Sequence, residues 1–314
     1  ASEIKSITDD NFTIENISGK WKFDVKQTVN SITKVIYTGT IYFENNVTGL
    51  TKYTSKAYIQ EITLGAEDLT YTIPCGDLGV YDARIDWGGE AFTNVKSFND
   101  VNLSYTFKSA GIYLVKITGR MPHVKFNSTG DFLKITDIPQ WGDVVIESGE
   151  FSYTDCRNLI VTATDAPTIT ATSLDTMWQE AFLVNPKFSN WDFSTVENLN
   201  NFLDGANSAI PNFTNSDMSN VTNFNGFIRN ASLANPNMSN WLIPNVTSFA
   251  NAFNNSGLTT ENYNGFLNMA FGQIVQSGVP LGALGINYTI ATAGAAHDDL
   301  VNNDLWIIND NGGV

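Results

Sequence analysis

The sequence predicts a mainly β protein: an N-terminal β region, a strand-rich sandwich, then a solenoid of about five turns with a C-terminal cap. Three observations carry this. Asn185-Pro-Lys-Phe-Ser-Asn-Trp191 returns as Asn235-Pro-Asn-Met-Ser-Asn-Trp241, with a degenerate copy, Pro211-Asn-Phe-Thr-Asn-Ser216, midway, so the chain repeats with a period of 25. The register holds at Phe188, Phe213 and Met238, at Val196, Val221 and Val246, and at Leu199, Phe224 and Phe249. Repeats of this length stack, because one turn alone cannot bury its apolar face. Finally, only 16% of residues are charged and 24 are Gly, with Asn, Thr and Ser carrying the polar load, a composition suited to β-rich chains with tight turns.

The elements follow in order. Residues 1–65 form the N-terminal region: Trp21-Lys-Phe-Asp-Val-Lys26 alternates, Val35 to Phe43 is β-branched and aromatic, and Asn45-Asn46 reads as a turn. Tyr58 to Leu64 is a further strand. Residues 66–120 contain Tyr81-Asp-Ala-Arg-Ile-Asp-Trp87-Gly-Gly-Glu90 and Tyr105 to Ile117. In the latter, Tyr113, Val115 and Ile117 alternate against Ile112, Leu114 and Lys116. The solenoid spans 121–257, with turns at Ile135, Val161, Phe188, Phe213 and Met238. Each turn pairs a short strand at these positions with a short helical return, since Val196, Leu199, Leu203 and Ala206 fall at helical spacing. Residues 258–314 form the cap, where Tyr263, Phe266, Leu267 and Ala270 share a helical face, Ala295 to Val301 suggests a second helix, and Trp306-Ile-Ile a last strand.

Two resemblances rest on these residues. Asp86-Trp87-Gly88-Gly89 followed by Tyr105 to Ile117 resembles a PKD-type immunoglobulin-like sandwich, with Gly89 where that family usually has Asp; the turn is expected to survive, because Gly meets its backbone demand. Asn190-Trp-Asp-Phe-Ser-Thr-Val196 and Met218-Ser-Asn-Val-Thr-Asn-Phe224 resemble the repeat of BspA-like leucine-rich-repeat surface proteins, also described as DUF285 proteins, with aromatics in place of the usual Met. That resemblance runs over about residues 69–314. It implies a bacterial-surface or phage setting, adhesion and partner binding, and attaches no catalytic activity to the repeat.

The charge of −15 and pI near 4.4 argue against nucleic acid, whose phosphates need clustered Lys and Arg. No apolar run approaches the roughly 18 residues of a membrane helix. Ala1-Ser-Glu-Ile lacks a signal-peptide pattern; such a start fits removal of either an initiator Met or a signal. Cys75 and Cys156 fit no zinc or CxxC spacing and read as small hydrophobes before a disulfide.

Catalytic and cofactor chemistry is sparse. His123 has no nucleophile elbow nearby, and His297 precedes Asp298-Asp299 at an expected helix start. Paired carboxylates for glycoside hydrolysis could be drawn from Asp192, Asp204 or Asp217, but Asp192 and Asp217 stack on the same edge of successive turns, a repeat feature and a poor acid/base pair. Asn309-Asp-Asn-Gly312 reads as a turn before a calcium loop. Asn190, Asn215 and Asn240 invite a hydrogen-bonded ladder. Trp191, Ser216 and Trp241 share a column and form the candidate partner-binding platform, against the alternative that both rings wedge into the core. No catalytic residue, cofactor or metal is expected.

The expected function is a non-enzymatic, extracellular structural or adhesive protein of a virion or filament, with a bacterial cell-surface or secreted carbohydrate-binding module as the alternative. Its partners are other copies or subunits held through the N-terminal β segment, and a host protein or glycan. On the boundary at 65, a chain shortened to begin near Glu67 is expected to fold and to lose assembly.

Overall fold

Alternation at Trp21–Lys26 and β-branched residues from Val35 produce two strands, β1 (Lys20–Val29) and β2 (Ile32–Tyr42), paired antiparallel with a bulge between Val25 and Lys26. They belong to a computed structural model that describes residues 20–29, 32–42 and 56–314. The Asn45-Asn46 turn lies outside the described residues. The chain divides into two compact units, 1–54 and 55–314.

In the second unit the strands are β3 (Tyr58–Leu64), β4 (Thr70–Thr72), β5 (Asp82–Trp87), β6 (Phe92–Val95), β7 (Ser104–Thr106), β8 (Gly111–Arg120) and β9 (Ile135–Gln140). Five form an antiparallel sheet in the order β6-β5-β8-β3-β9, and β4 and β7 form a separate pair. Inward residues alternate as the pleat requires: Tyr58, Ile62 and Leu64 on β3, Ala83, Ile85 and Trp87 on β5, Val115 and Ile117 on β8. The Trp87 ring stacks on Tyr105 at 5.6 Å. The β5–β6 turn survives as expected: Gly88 and Gly89 both take positive φ, the Glu90 amide donates to the Trp87 carbonyl, and the Gly89 amide donates to Asp86 Oδ1 at 2.7 Å.

The boundary at residue 65 requires correction. β3 lies between β8 and β9, with Tyr58 opposite Ile117 and Leu64 opposite Gly111. Only its partners on β8 and, farther downstream, on β9 identify it as an inner strand. The division at 120 is crossed too. A buried chain of hydrogen bonds runs from Tyr71 Oη to Gln60 Oε1 (2.9 Å), from Gln60 Nε2 to Tyr58 Oη (3.0 Å) and on to Tyr153 Oη (2.6 Å). Burial raises the pKa of all three tyrosines, so their hydroxyls stay neutral. β9 has two roles. It is antiparallel to β3, and it starts a parallel ladder in which the Ile138 amide donates to the Ile160 carbonyl and the Ala163 amide to the Ile138 carbonyl.

Beyond β9 come the short parallel strands β10 (Val145–Ile146) and β11 (Thr168–Ile169), and then coils that repeat without insertion. Ser173, Asn198, Asn223 and Ser248 meet in successive parallel bridges. The amides of Leu174, Thr176, Trp178 and Glu180 donate to the carbonyls of Asn198, Asn200, Phe202 and Asp204 in the next coil at 2.8–3.0 Å. Residues between them bond three positions back within their own coil: Met177 to Leu174, Gln179 to Thr176, Ala181 to Trp178. Two columns of left-handed residues set this zigzag. One is Phe151, Thr176, Asn201, Gly226 and Asn251 (φ 48–61°), and the other is Asp155, Glu180, Gly205, Asn230 and Asn255 (φ 55–73°).

The expected order of strand and helical return within a turn is therefore reversed. Phe188–Asn190 is a 3₁₀ turn, while the segment around Asn198–Gly205 carries the inter-coil ladder. A left-handed residue at every fourth position cannot sit in a right-handed helix. A run of turns with that spacing still buries Val196, Leu199, Leu203 and Ala206, and so imitates the helical pattern.

The cap continues the ladder. Helix α1 (Thr260–Phe271) buries Tyr263, Phe266, Leu267 and Ala270 as expected, and the Thr259 hydroxyl caps it by accepting from the Asn262 amide. β12 (Pro280–Ala283) then stacks on the last coil, with its Pro280 and Gly282 carbonyls accepting from the Phe249 and Phe253 amides at 2.8 and 2.9 Å. After α2 (Ile290–Asn302), β13 (Ile307–Asp310) lies parallel to β12.

Candidate functional site

The platform expected at Trp191, Ser216 and Trp241 is not a surface. Trp191 is 4% exposed and Trp241 1%, while Ser216 is half-buried between them. The Trp191 ring packs edge-on to Trp141 at 5.4 Å and to Phe188 at 5.2 Å. The Trp241 ring stacks on Phe224 at 5.3 Å, and its Nε1 donates to the Phe213 carbonyl at 3.3 Å. Coil closure turns the column inward, where large rings contribute most by burial. Neither ring offers a face to a sugar or a protein.

Asp192 and Asp217 do share an exposed edge. Each accepts from the amide two residues on, Ser194 and Ser219, both at 2.9 Å. The Ser194 and Ser219 hydrogen bonds lower both pKa values, so the two carboxylates act as turn formers. Asp204 is different: 2% exposed, it accepts from Arg229 Nη2 at 2.6 Å and Nε at 3.0 Å, and from Gln179 Nε2 at 3.1 Å. Residues 179, 204 and 229 form one column, so the ion pair links adjacent coils. Beside it, burial, then the charges of Asp204 and Asp155, raise the pKa of Glu180. Sequence reasoning missed this cluster. The only available signal was the 25-residue spacing of Asp204 and Arg229.

Both histidines are held structurally. His123 is buried, its Nε2 lies 2.8 Å from the Glu150 carbonyl, and burial lowers its pKa. His297 lies well inside α2, contrary to the expected helix start, with its ring stacked on Tyr288 at 4.4 Å. Of the expected Asn309–Gly312 turn, Asn309 and Asp310 lie in β13 instead, and the segment is tied inward, since Asp310 Oδ2 accepts from Tyr263 Oη at 2.8 Å and its Oδ1 from the Gly312 amide. Cys75 and Cys156 are free thiols, and burial pushes Cys75 up to about 12 and Cys156 well above its ordinary value. Among the described residues no group of three or more His, Cys, Asp or Glu is placed to hold a metal ion, and no helix is long and apolar enough to cross a membrane.

The inter-coil side-chain bonds fall in columns other than the expected Asn190, Asn215 and Asn240. Only Asn190 of those makes one, to the Thr164 carbonyl. Instead, Asn220 and Asn245 donate to the Ser194 and Ser219 carbonyls at 2.7 and 2.8 Å, and the Thr222 and Thr247 hydroxyls to the Glu197 and Thr222 carbonyls at 3.1 Å. The recurring Asn-Val-Thr at 220–222 and 245–247 was the legible signal. The surface that results is a periodic array of Thr and Asn, and Leu183, Ile210 and Leu233 are exposed as well.

Residues 151–266 match a family model described as Mycoplasma protein of unknown function, DUF285. That match supports the DUF285 family over a span that starts at the first left-handed column and ends within α1. No curated protein and no solved structure matches the chain.

Proposed function

We propose that this chain is a non-enzymatic, extracellular structural or adhesive protein of a virion or filament, displaying a BspA-like, leucine-rich-repeat-type solenoid beyond a PKD-like sandwich. In this reading the N-terminal β segment holds the protein to other copies or subunits, and the coils meet a host surface. The observation that carries it is the inter-coil ladder. It runs from β9 to β13, turns its aromatic columns inward and its Thr, Asn and Ser columns outward, and so presents an extended, repeated surface. Stacked coils give one repeated geometry, which suits display better than the unequal environments an acid and a base require. The sandwich supports the PKD-type reading through its Gly88-Gly89 turn and the alternation on β8.

A bacterial cell surface is the alternative setting, favoured by the same outward columns. Antibody labelling of intact particles and of intact cells separates the two. Label on particles supports the virion reading, and label on cells the alternative. A protein found only in solution, bound to neither, would overturn the display role itself.

A further inference from the structure

Among the described residues the ladder that joins the coils runs as far as β13, and the character of that edge points to a partner. The Ile307 amide donates to the carbonyl of Val279, the residue before β12, so alternation turns the Ile308 and Asp310 amides the other way, where no strand lies among the described residues. Besides being kept short or charged, natural sheet edges are often blunted by Lys, Pro or a bulge. β13 reads Ile-Ile-Asn-Asp and has none of these. Around it, Leu305 is 61% exposed, Ile307 68% and Val314 68%. The charge there has one sign. No Lys or Arg occurs from 230 to 314, while Asp298 and Asp299 lie on α2 and Asp304 on the link to β13.

The sequence of β1 is net positive, with Lys20, Lys22, Asp24 and Lys26 alternating with Trp21, Phe23 and Val25, and β2 adds Lys34. A two-stranded ribbon is at best marginally stable alone in water and gains from a third strand. We propose that the β13 edge is a docking site for a second copy of this chain, which adds its lysine-bearing β1–β2 ribbon by strand addition. The proposal rests on the N-terminal attachment reading above and names its acceptor. Such a contact joins unlike surfaces, so it propagates head to tail into an open series rather than a closed dimer.

The test uses the full chain in sedimentation velocity over a range of concentration and salt. The expected result is a series of oligomers that weakens as salt rises. Ile308→Pro, which removes an outward amide and keeps the bonds to β12, and separately Asp298→Lys with Asp304→Lys, should each weaken association about tenfold. Lys20→Glu, Lys22→Glu and Lys26→Glu together should do the same, and mixing this variant with the Asp→Lys variant should restore association. Melting curves check that each variant is folded, and the charge variants stand as the test if Ile308→Pro is not. If the lysine variant abolishes association while the β13 and Asp variants leave it intact, the ribbon docks elsewhere: this inference falls and the N-terminal attachment reading survives. A full chain that stays monomeric to about 100 µM overturns the inference outright.

Discussion

A chain shortened to begin at Ser55 should fold, whereas one beginning at Glu67 should not. The difference is β3, whose loss takes Tyr58, Ile62 and Leu64 from the core, each 3% exposed or less. At about 1.5–3 kcal/mol for each large apolar side chain, burial alone amounts to roughly 5–9 kcal/mol. The same cut strips Tyr71 and Tyr153 of their hydroxyl partners on Gln60 and Tyr58, at about 1–3 kcal/mol for each group left unsatisfied. It also leaves β8 and β9 without the strand between them. A domain's net stability is about 5–15 kcal/mol, so the loss is comparable to the whole. Calorimetry of the two chains is the assay, with a cooperative transition expected from Ser55 and none from Glu67. A chain from Glu67 that melts cooperatively within a few degrees of the other would refute the assignment of β3 as an inner strand.

The remaining expectations concern the coils. Trp191→Ala and Trp241→Ala should each cost about 3–5 kcal/mol in chemical denaturation, as deletions of buried rings do; unchanged stability together with lost partner binding would return the column to the surface. Arg229→Ala, which leaves Asp204 buried without its cation, should cost about 3 kcal/mol, and Asp204→Ala less, because the partly exposed Arg229 can turn to water; equal effects in a melt would count against this asymmetry. Glu180 has a raised folded pKa, so its contribution is most favourable below the usual glutamate range and is lost as the pH rises through the folded value. Glu180→Gln should therefore raise the melting temperature at pH 7 and change it little at pH 4. Thr176, β-branched at φ 53°, occupies a column where Asn201 and Asn251 also sit, and Thr176→Asn should stabilise by up to about 1 kcal/mol; a clear loss would show that its buried hydroxyl outweighs the backbone strain.

The sequence alone determined whatever depends on periodicity and local chemistry. The 25-residue spacing placed Val196, Val221 and Val246 in one column, and all three are buried. Alternation gave β1, β2 and the inward Val115 and Ile117 of β8, and helical spacing gave the buried face of α1. Tertiary structure alone decided which way each column faces. Trp191 and Trp241 were legible as a column, but their direction depends on how the coil closes, a matter of long-range bonds that the repeat does not encode. Helical spacing likewise could not separate a helix from turns repeating every four residues, because both bury positions three and four apart; the left-handed columns at Asn201 and Gly205 settled it. β3 shows the same limit. Its alternation marked a strand, yet its place between β8 and β9 lies in pairings with residues well downstream, Leu64 with Gly111 and Ile59 with Gln140, and the Tyr58–Tyr153 hydrogen bond likewise joins the five-stranded sheet and the coils across the chain.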